Sequence, residues 1–202
     1  SLAKMIRKVM GAIPGMKPPG SGRFFYPKRG TFKVSYVEKY VKNFRVVVVP
    51  WVYREQGLMV QAGNPKGIKD LRDLIRPDIN FVNRQRGAGT RILLDYHLGQ
   101  LGLNQSQIKG YDQEEFTHLS VAAAIKSSRG DTGLGITAAA KALELDFIPL
   151  FKERYDLIVP ETIFNSELFF PIIQAMKDEE FRKNVQSLDG YDVSCMGLEL
   201  IQ

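Results

Sequence analysis

An α/β fold with a mostly parallel sheet is the class this sequence predicts, on three observations. Short apolar runs of strand length alternate with apolar residues at helical spacing. Glycine turns stand where runs hand over to helices, above all Gly87-Ala88-Gly89-Thr90. No internal repeat or membrane-spanning apolar run interrupts the pattern, since even the valines at 46–49 end at Pro50. In such folds the binding crevice lies beyond the carboxyl ends of the strands.

The elements follow in order. Between Gly11 and Gly30 the breakers Pro14, Pro18, Pro19 and Pro27 join several glycines, so this stretch reads as loop. A short helix is expected over residues 2–10 and another over 36–41, leading into a strand at 46–49 buried on both faces. Asn64-Pro65-Lys66-Gly67 is a turn, followed by Ile68, Leu71, Leu74 and Ile75 at helical spacing, with Pro77 ending the helix. A strand at 79–82 precedes the helix opened by Gly87-Ala88-Gly89-Thr90, whose Leu94, Leu98 and Leu101 fall at i, i+4 and i+7 before Gly102. Val121, Ala124 and Ile125 mark the next helix, 134–136 a strand, 138–143 a helix and 147–150 a strand. Phe181, Val185 and Leu188 mark a last amphipathic helix.

The 202-residue chain is 44% hydrophobic, enough for a buried core, and its net charge of +6 is unevenly placed. Residues 1–45 hold 11 Lys and Arg against the single acid Glu38, a net +10; the remaining 17 bases face 21 acids, a net −4. The basic excess belongs to a Pro/Gly-rich N-terminal segment, residues 1–30, and to its neighbourhood, and the body is mildly acidic. Lys4, Arg7 and Lys8 break the apolar stretch a secretory signal needs, so the expected location is cytoplasmic. A single cysteine, Cys195, excludes an internal disulfide, and with His97 and His118 it shows no metal-ligand spacing. No metal, cofactor or nucleophile signature emerges, and the chain reads as no enzyme. Glu114-Glu115 precede a helix and read as capping charges.

The segment with the most chemistry runs from Asn83 through Gln85 to Arg91. Small residues at Gly87, Ala88 and Gly89 let a ligand approach free backbone N–H groups at a helix start, Thr90 adds a hydroxyl, and Arg91 adds a charged fork. Each part favours an oxyanion. A tight-packing glycine turn with its arginines in solvent is the competing reading, and the Gly-Lys-Ser/Thr ending of a Walker A loop is absent. A second loop, Gly130 to Ile136, offers Thr132 and the Gly133 amide opposite the first, against plain turn chemistry; Asp131 suits orienting backbone better than meeting an anion.

In order along the chain stand Arg54-Glu55-Gln56-Gly57-Leu58, Gly63-Asn64-Pro65-Lys66-Gly67-Ile68, the 83–91 segment, Glu115-Phe116-Thr117-His118, Gly133-Leu134-Gly135-Ile136, Leu145-Asp146-Phe147 and Glu153-Arg154-Tyr155. Together they resemble the periplasmic-binding-protein-like domain found fused to helix-turn-helix regulators or molybdopterin molybdenumtransferase modules. The resemblance covers roughly residue 34 to the tail at Gly190-Tyr191-Asp192. It implies a type II binding fold of two α/β lobes around a cleft: lobe I from 31–62 and 156–202, lobe II from 63–155. The chain crossings fall near 56–64 and 153–160. The implied ligand is an oxyanion such as molybdate or tungstate, or a molybdenum-cofactor-related compound, and the implied partner is a fused or separate module of those two kinds. Tyr155 joins the candidate ligand-binding residues through this resemblance. Ala88 stands where a serine is common. The family's longer first-lobe stretch is shortened or replaced here, leaving Ser21 as the candidate first-lobe hydroxyl.

Two functions of different class follow. A sensor or carrier closes its lobes on a small anion, moving the equilibrium only as far as the ligand binds closed better than open. Alternatively, the basic N-terminal segment tracks nucleic-acid phosphates and the α/β body regulates, although no groove-entering helix or aromatic-interleaved RNA motif accompanies it.

Overall fold

The computed structural model describes residues 45–197. The basic segment 1–30, Ser21 and the helices expected over 2–10 and 36–41 lie outside the described residues. Two compact units emerge. One joins the described residues up to Arg54 with those from Arg154, and the other is Glu55–Glu153. The lobe boundaries expected from sequence stand at 62/63 and 155/156.

The chain passes between the units inside two 15-residue strands, β1 (Val46–Val60) and β5 (Asp146–Pro160). Only the first few residues of each carry a plain strand signal. Further along, β1 holds Arg54 and Gln56, both buried, and β5 is charged at Lys152, Glu153, Arg154 and Asp156. Apolarity therefore fades before the hydrogen-bonded ladder ends. Pro50 sits within β1 without breaking it, and its carbonyl accepts the Gly197 N–H at 3.0 Å.

In the first unit, Val47, Val49, Trp51 and Val52 of β1 pack with Val159 of β5 and with two helices, α5 (Phe170–Lys177) and α6 (Glu179–Gln186), which follow a single turn, α4 (Glu161–Phe164). The predicted last helix is α6. Asp178 caps it, accepting the Phe181 N–H at 2.6 Å, and Phe181 meets Trp51 edge-on at 6.0 Å. A short strand, β6 (Tyr191–Asp192), pairs antiparallel with β1 at Tyr53 and Arg54.

The second unit holds β2 (Asn83–Arg84), α1 (Gly89–Gln100), β3 (Glu114–Glu115), α2 (His118–Lys126), β4 (Thr132–Ile136) and α3 (Thr137–Ala142). The helix expected from Ile68 is a 3-10 turn, Leu71–Ile75, held by a capping box between Asp70 and Asp73. The expectation of a mostly parallel sheet is corrected along β1. Its neighbour β4 runs antiparallel, from Gln56 opposite Ile136 to Val60 opposite Thr132. Apolar runs report burial on both faces, which helices supply here, and carry no strand direction. Parallel pairing joins β2 to β3, and Phe81 bridges Thr132 in parallel.

Strand alternation sorts the faces of this sheet. Met59 lies in a cluster with Val121, Ala122 and Ile125 of α2 and Ala139 and Ala140 of α3. A Cβ on Gly133 would lie 2.5 Å from both the Val121 side chain and the Val82 carbonyl, so glycine permits that approach. No residue of α1 belongs to the cluster, yet α1 packs on β4. It therefore covers the other face, to which alternation assigns Leu58 and Gln56. Among the described residues no helix is long and apolar enough to cross a membrane.

Candidate functional site

The parallel bridge from Phe81 to Thr132 sets strand ends at one edge of the second unit's sheet. From there β2 runs into Gln85 and the start of α1, while β4 runs into Ile136 and the start of α3. Because β3 is in parallel register with β2, Arg84 opposite Glu115, α2 also starts at this edge, behind the Thr117 cap. Gln56 reaches the same edge from the antiparallel side, opposite Ile136. This is the carboxyl edge at which α/β sheets bind ligands.

At the centre is the start of α1. Gly87 takes φ +79 with open space around it, and Ala88 forms the cap position without any side-chain hydrogen bond. Intrahelical bonding begins with the Arg91 and Ile92 N–H groups, which both donate to the Ala88 carbonyl. The Gly89 and Thr90 amides precede it. Thr90 is 1% exposed, and its Oγ1 has no hydrogen-bond partner.

The other sequence-predicted residues divide by what already holds them. Asn83 donates from Nδ2 to the Tyr111 carbonyl at 3.0 Å and accepts the Arg84 N–H at 2.9 Å. Gln85 accepts from Arg84 Nε at 3.2 Å. Arg91 is buried: it donates to Glu114 and to the Arg84 carbonyl, lies 3.8 Å from Asp112, and stacks 4.5 Å from the centre of the Tyr111 ring. Its charge is matched inside the unit. Thr132 donates from Oγ1 to the Met59 carbonyl at 3.0 Å, and Gly133 packs as described. Tyr155 belongs to the first unit, its ring under the Arg54 guanidinium at 4.6 Å. Asp131 orients backbone as expected, accepting the Asn80 N–H at 2.7 Å.

The reading of Glu114-Glu115 as capping charges is corrected. They form β3, where Glu114 meets Arg91 and Glu115 meets Arg129 at 3.3 Å, and the cap of α2 is Thr117, which accepts the Ser120 N–H. Beside them, burial and the hydrogen bond to Asp95 push the Tyr111 phenol up to about 12. Burial pushes the His97 imidazole, stacked on Phe151 at 4.0 Å, below its ordinary value. No cluster of His, Cys, Asp or Glu among the described residues is arranged to hold a metal.

Two residues of this edge escaped the reading of site residues. Gln56 is fully buried, and neither Nε2 nor Oε1 has a partner. The buried Oγ1 of Thr137, the residue after Ile136, has none either. An isolated amide in a strand and a threonine after a glycine-rich strand leave no spacing signal. Only register places them together.

Comparisons with known proteins meet this geometry. Residues 23–177 match the family model described as the PBP superfamily domain. A Bacillus subtilis protein, YvgK, is 34% identical over 173 residues, 86% of this chain but 56% of the relative, so the chain spans about half that protein's length. In fold the chain is similar to a probable amino-acid ABC transporter extracellular-binding protein, ytmK, of B. subtilis (TM-score 0.54, 12% identity, 93% of this chain and 86% of that one). It is also similar to the substrate-binding domain of a putative molybdenum ABC transporter from Clostridium difficile (0.52, 14%, 81% and 73%) and to PEB3 bound to L-phospholactate (0.52, 16%, 79% and 74%).

Proposed function

The chain belongs to the periplasmic-binding-protein (PBP) superfamily, and from that membership we propose that it binds a small anionic ligand at the start of α1 as a sensor or carrier, without catalysis. The observation that carries the reading is Thr90, a buried hydroxyl without a partner beside the first amides of a 12-residue helix at the sheet's carboxyl edge. A helix dipole contributes only about 0.3–1 kcal/mol, whereas each hydrogen bond to a charged group contributes about 1.5–3 kcal/mol, so the amides and hydroxyl dominate. Arg91 ties the β2 and β3 ends together, its Nη1 donating to the Arg84 carbonyl and to Glu114.

The proposed ligand class is an oxyanion such as molybdate or tungstate, or a molybdenum-cofactor-related compound. Support comes from two neighbours of the same fold, whose names mention molybdenum and a phosphorylated acid. The mechanism proposed is lobe closure by differential affinity, and the partner a helix-turn-helix or molybdenumtransferase module.

A thermal-shift panel of molybdate, tungstate, phosphate, sulfate and a pterin phosphate tests the reading. A ligand at a hundredfold excess over Kd stabilises by about 2.7 kcal/mol. Thr90→Val is expected to weaken the best anion by about tenfold, the equivalent of one lost hydrogen bond. A flat panel on the wild-type protein sinks the proposal.

A further inference from the structure

We infer that the ligand of this edge is an organic anion bearing an amide-like edge, one N–H donor beside one acceptor, which pairs with the Gln56 carboxamide. The inference rests on the anion site proposed above and deepens it.

Gln56 is fully buried with both polar atoms unpartnered. Gln61, just beyond β1, shows the ordinary outcome for an amide in this region: its Nε2 donates to the Ile125 carbonyl at 3.2 Å and to Ser128 Oγ at 3.0 Å. Gln56 also shares an edge and a sheet face with the start of α1, where Thr90 Oγ1 is unpartnered too. The large majority of buried side-chain polar atoms have a partner, so the two unmet atoms of Gln56 call for one.

The chemistry of the unmet atoms selects among anions. Molybdate, tungstate and sulfate present acceptors only. They satisfy the Thr90 hydroxyl and the α1 amides, and offer no donor to Gln56 Oε1. A carboxamide is met fully by a flat donor–acceptor pair, as on a lactam, pyrimidinedione or pterin ring. Span points the same way. With β4 lying between β1 and the strand at Phe81, spacings of about 4.8 Å set Gln56 roughly 10 Å from the end of β2. A tetrahedral oxyanion is too small to bridge that distance, and a ring with a carboxylate or phosphate substituent is not. Both Gln56 and Thr90 are covered in this structure, so the ligand gains them through local opening and associates more slowly than diffusion allows.

The test uses matched probes on the whole chain: orotate against benzoate, pterin-6-carboxylate against 2-naphthoate, and inorganic phosphate, each titrated calorimetrically. In at least one pair, the member with the amide-like edge is expected to bind about tenfold or more tightly than its partner. Gln56→Leu brings the two members of that pair to equal affinity; Gln56→Met, nearer in shape, serves if Gln56→Leu does not fold. Equal affinities within both pairs, with phosphate still bound, overturn this inference alone and leave the anion site standing. An edge preference that survives both Gln56 variants also overturns it. Failure of every probe, phosphate included, on the wild-type protein overturns the anion site and this inference together.

Discussion

Gln56 and Thr90 leave three buried side-chain atoms without partners, at a cost of about 1–3 kcal/mol for each unmet group. Replacing such a group by an apolar one of similar shape removes the cost, so Gln56→Leu is expected to raise unfolding free energy by about 1–3 kcal/mol in urea titrations. A purely structural amide would give the opposite sign. Arg91 differs in kind. Its charge meets Glu114 in a buried setting, so Arg91→Ala is expected to cost about 3 kcal/mol, while Arg72→Ala, an exposed residue paired with Asp70, stays within about 0.5 kcal/mol. Tyr111 gives a pH signature. Its folded value, about 12, exceeds the ordinary 10.0, so its contribution is fully present below pH 10 and lost as pH rises through 12. Ultraviolet titration should find at least one tyrosine ionising late, together with unfolding; early ionisation of every tyrosine would refute this. Thr90 stands out as a candidate in the sequence because glycines precede it at a helix start. Gln56 was not, since burial of a lone amide depends on strand register.

At the scale of elements, helices were legible wherever 3.6-residue periodicity coincided with a turn signal, as at Gly87-Ala88-Gly89-Thr90 before α1 and Gly102 after it, where φ is +68. The ends of β1 and β5 were not, because buried polar residues continue each ladder after the apolar run stops. Alpha5 also escaped. Its segment reads Phe169-Phe170-Pro171, and proline within the first turn both permits and disguises a helix start. Glycines in the sheet have a packing meaning that composition hides. A Cβ on Gly57 would stand 2.0 Å from the Ile148 carbonyl oxygen, a backbone atom that cannot swing aside. Gly57→Ala is therefore expected to cost upward of about 2 kcal/mol, within or above the range for overpacked cores, and to weaken the pairing of β1 with β5. Amide exchange at Leu58 and Ile148 would report that loss, and unchanged protection there would count against the steric account.

At the scale of the molecule, the two units draw on the sequence differently. The first needs β1 and β5 halves with distant helices, whereas the second is one continuous stretch, Glu55–Glu153. The sequence showed both as α/β and showed the family through ordered motifs, but a boundary inside a strand carries no turn or composition signal to mark it. Continuity has a consequence for function. Gln56, the start of α1 at Gly89 and Thr90, and Thr137 all fall within 55–153, as do the buried Leu58, Ile68, Leu74, Phe81, Leu94, Leu98 and Leu134. A unit with its own core and its own candidate site should stand alone, though with less stability than the whole, since a chain of this size buries a smaller fraction of its surface. A fragment of residues 55–153 is expected to give a dispersed amide spectrum and to retain anion binding, weaker than the whole chain's because lobe closure is lost, with the Thr90 amide shifting on titration with phosphate and the Thr90 and Gln56 amides both shifting with orotate. A folded fragment that binds no anion bound by the whole chain would mean that residues outside 55–153 supply part of the site, and the assignment of binding to this single edge would fail.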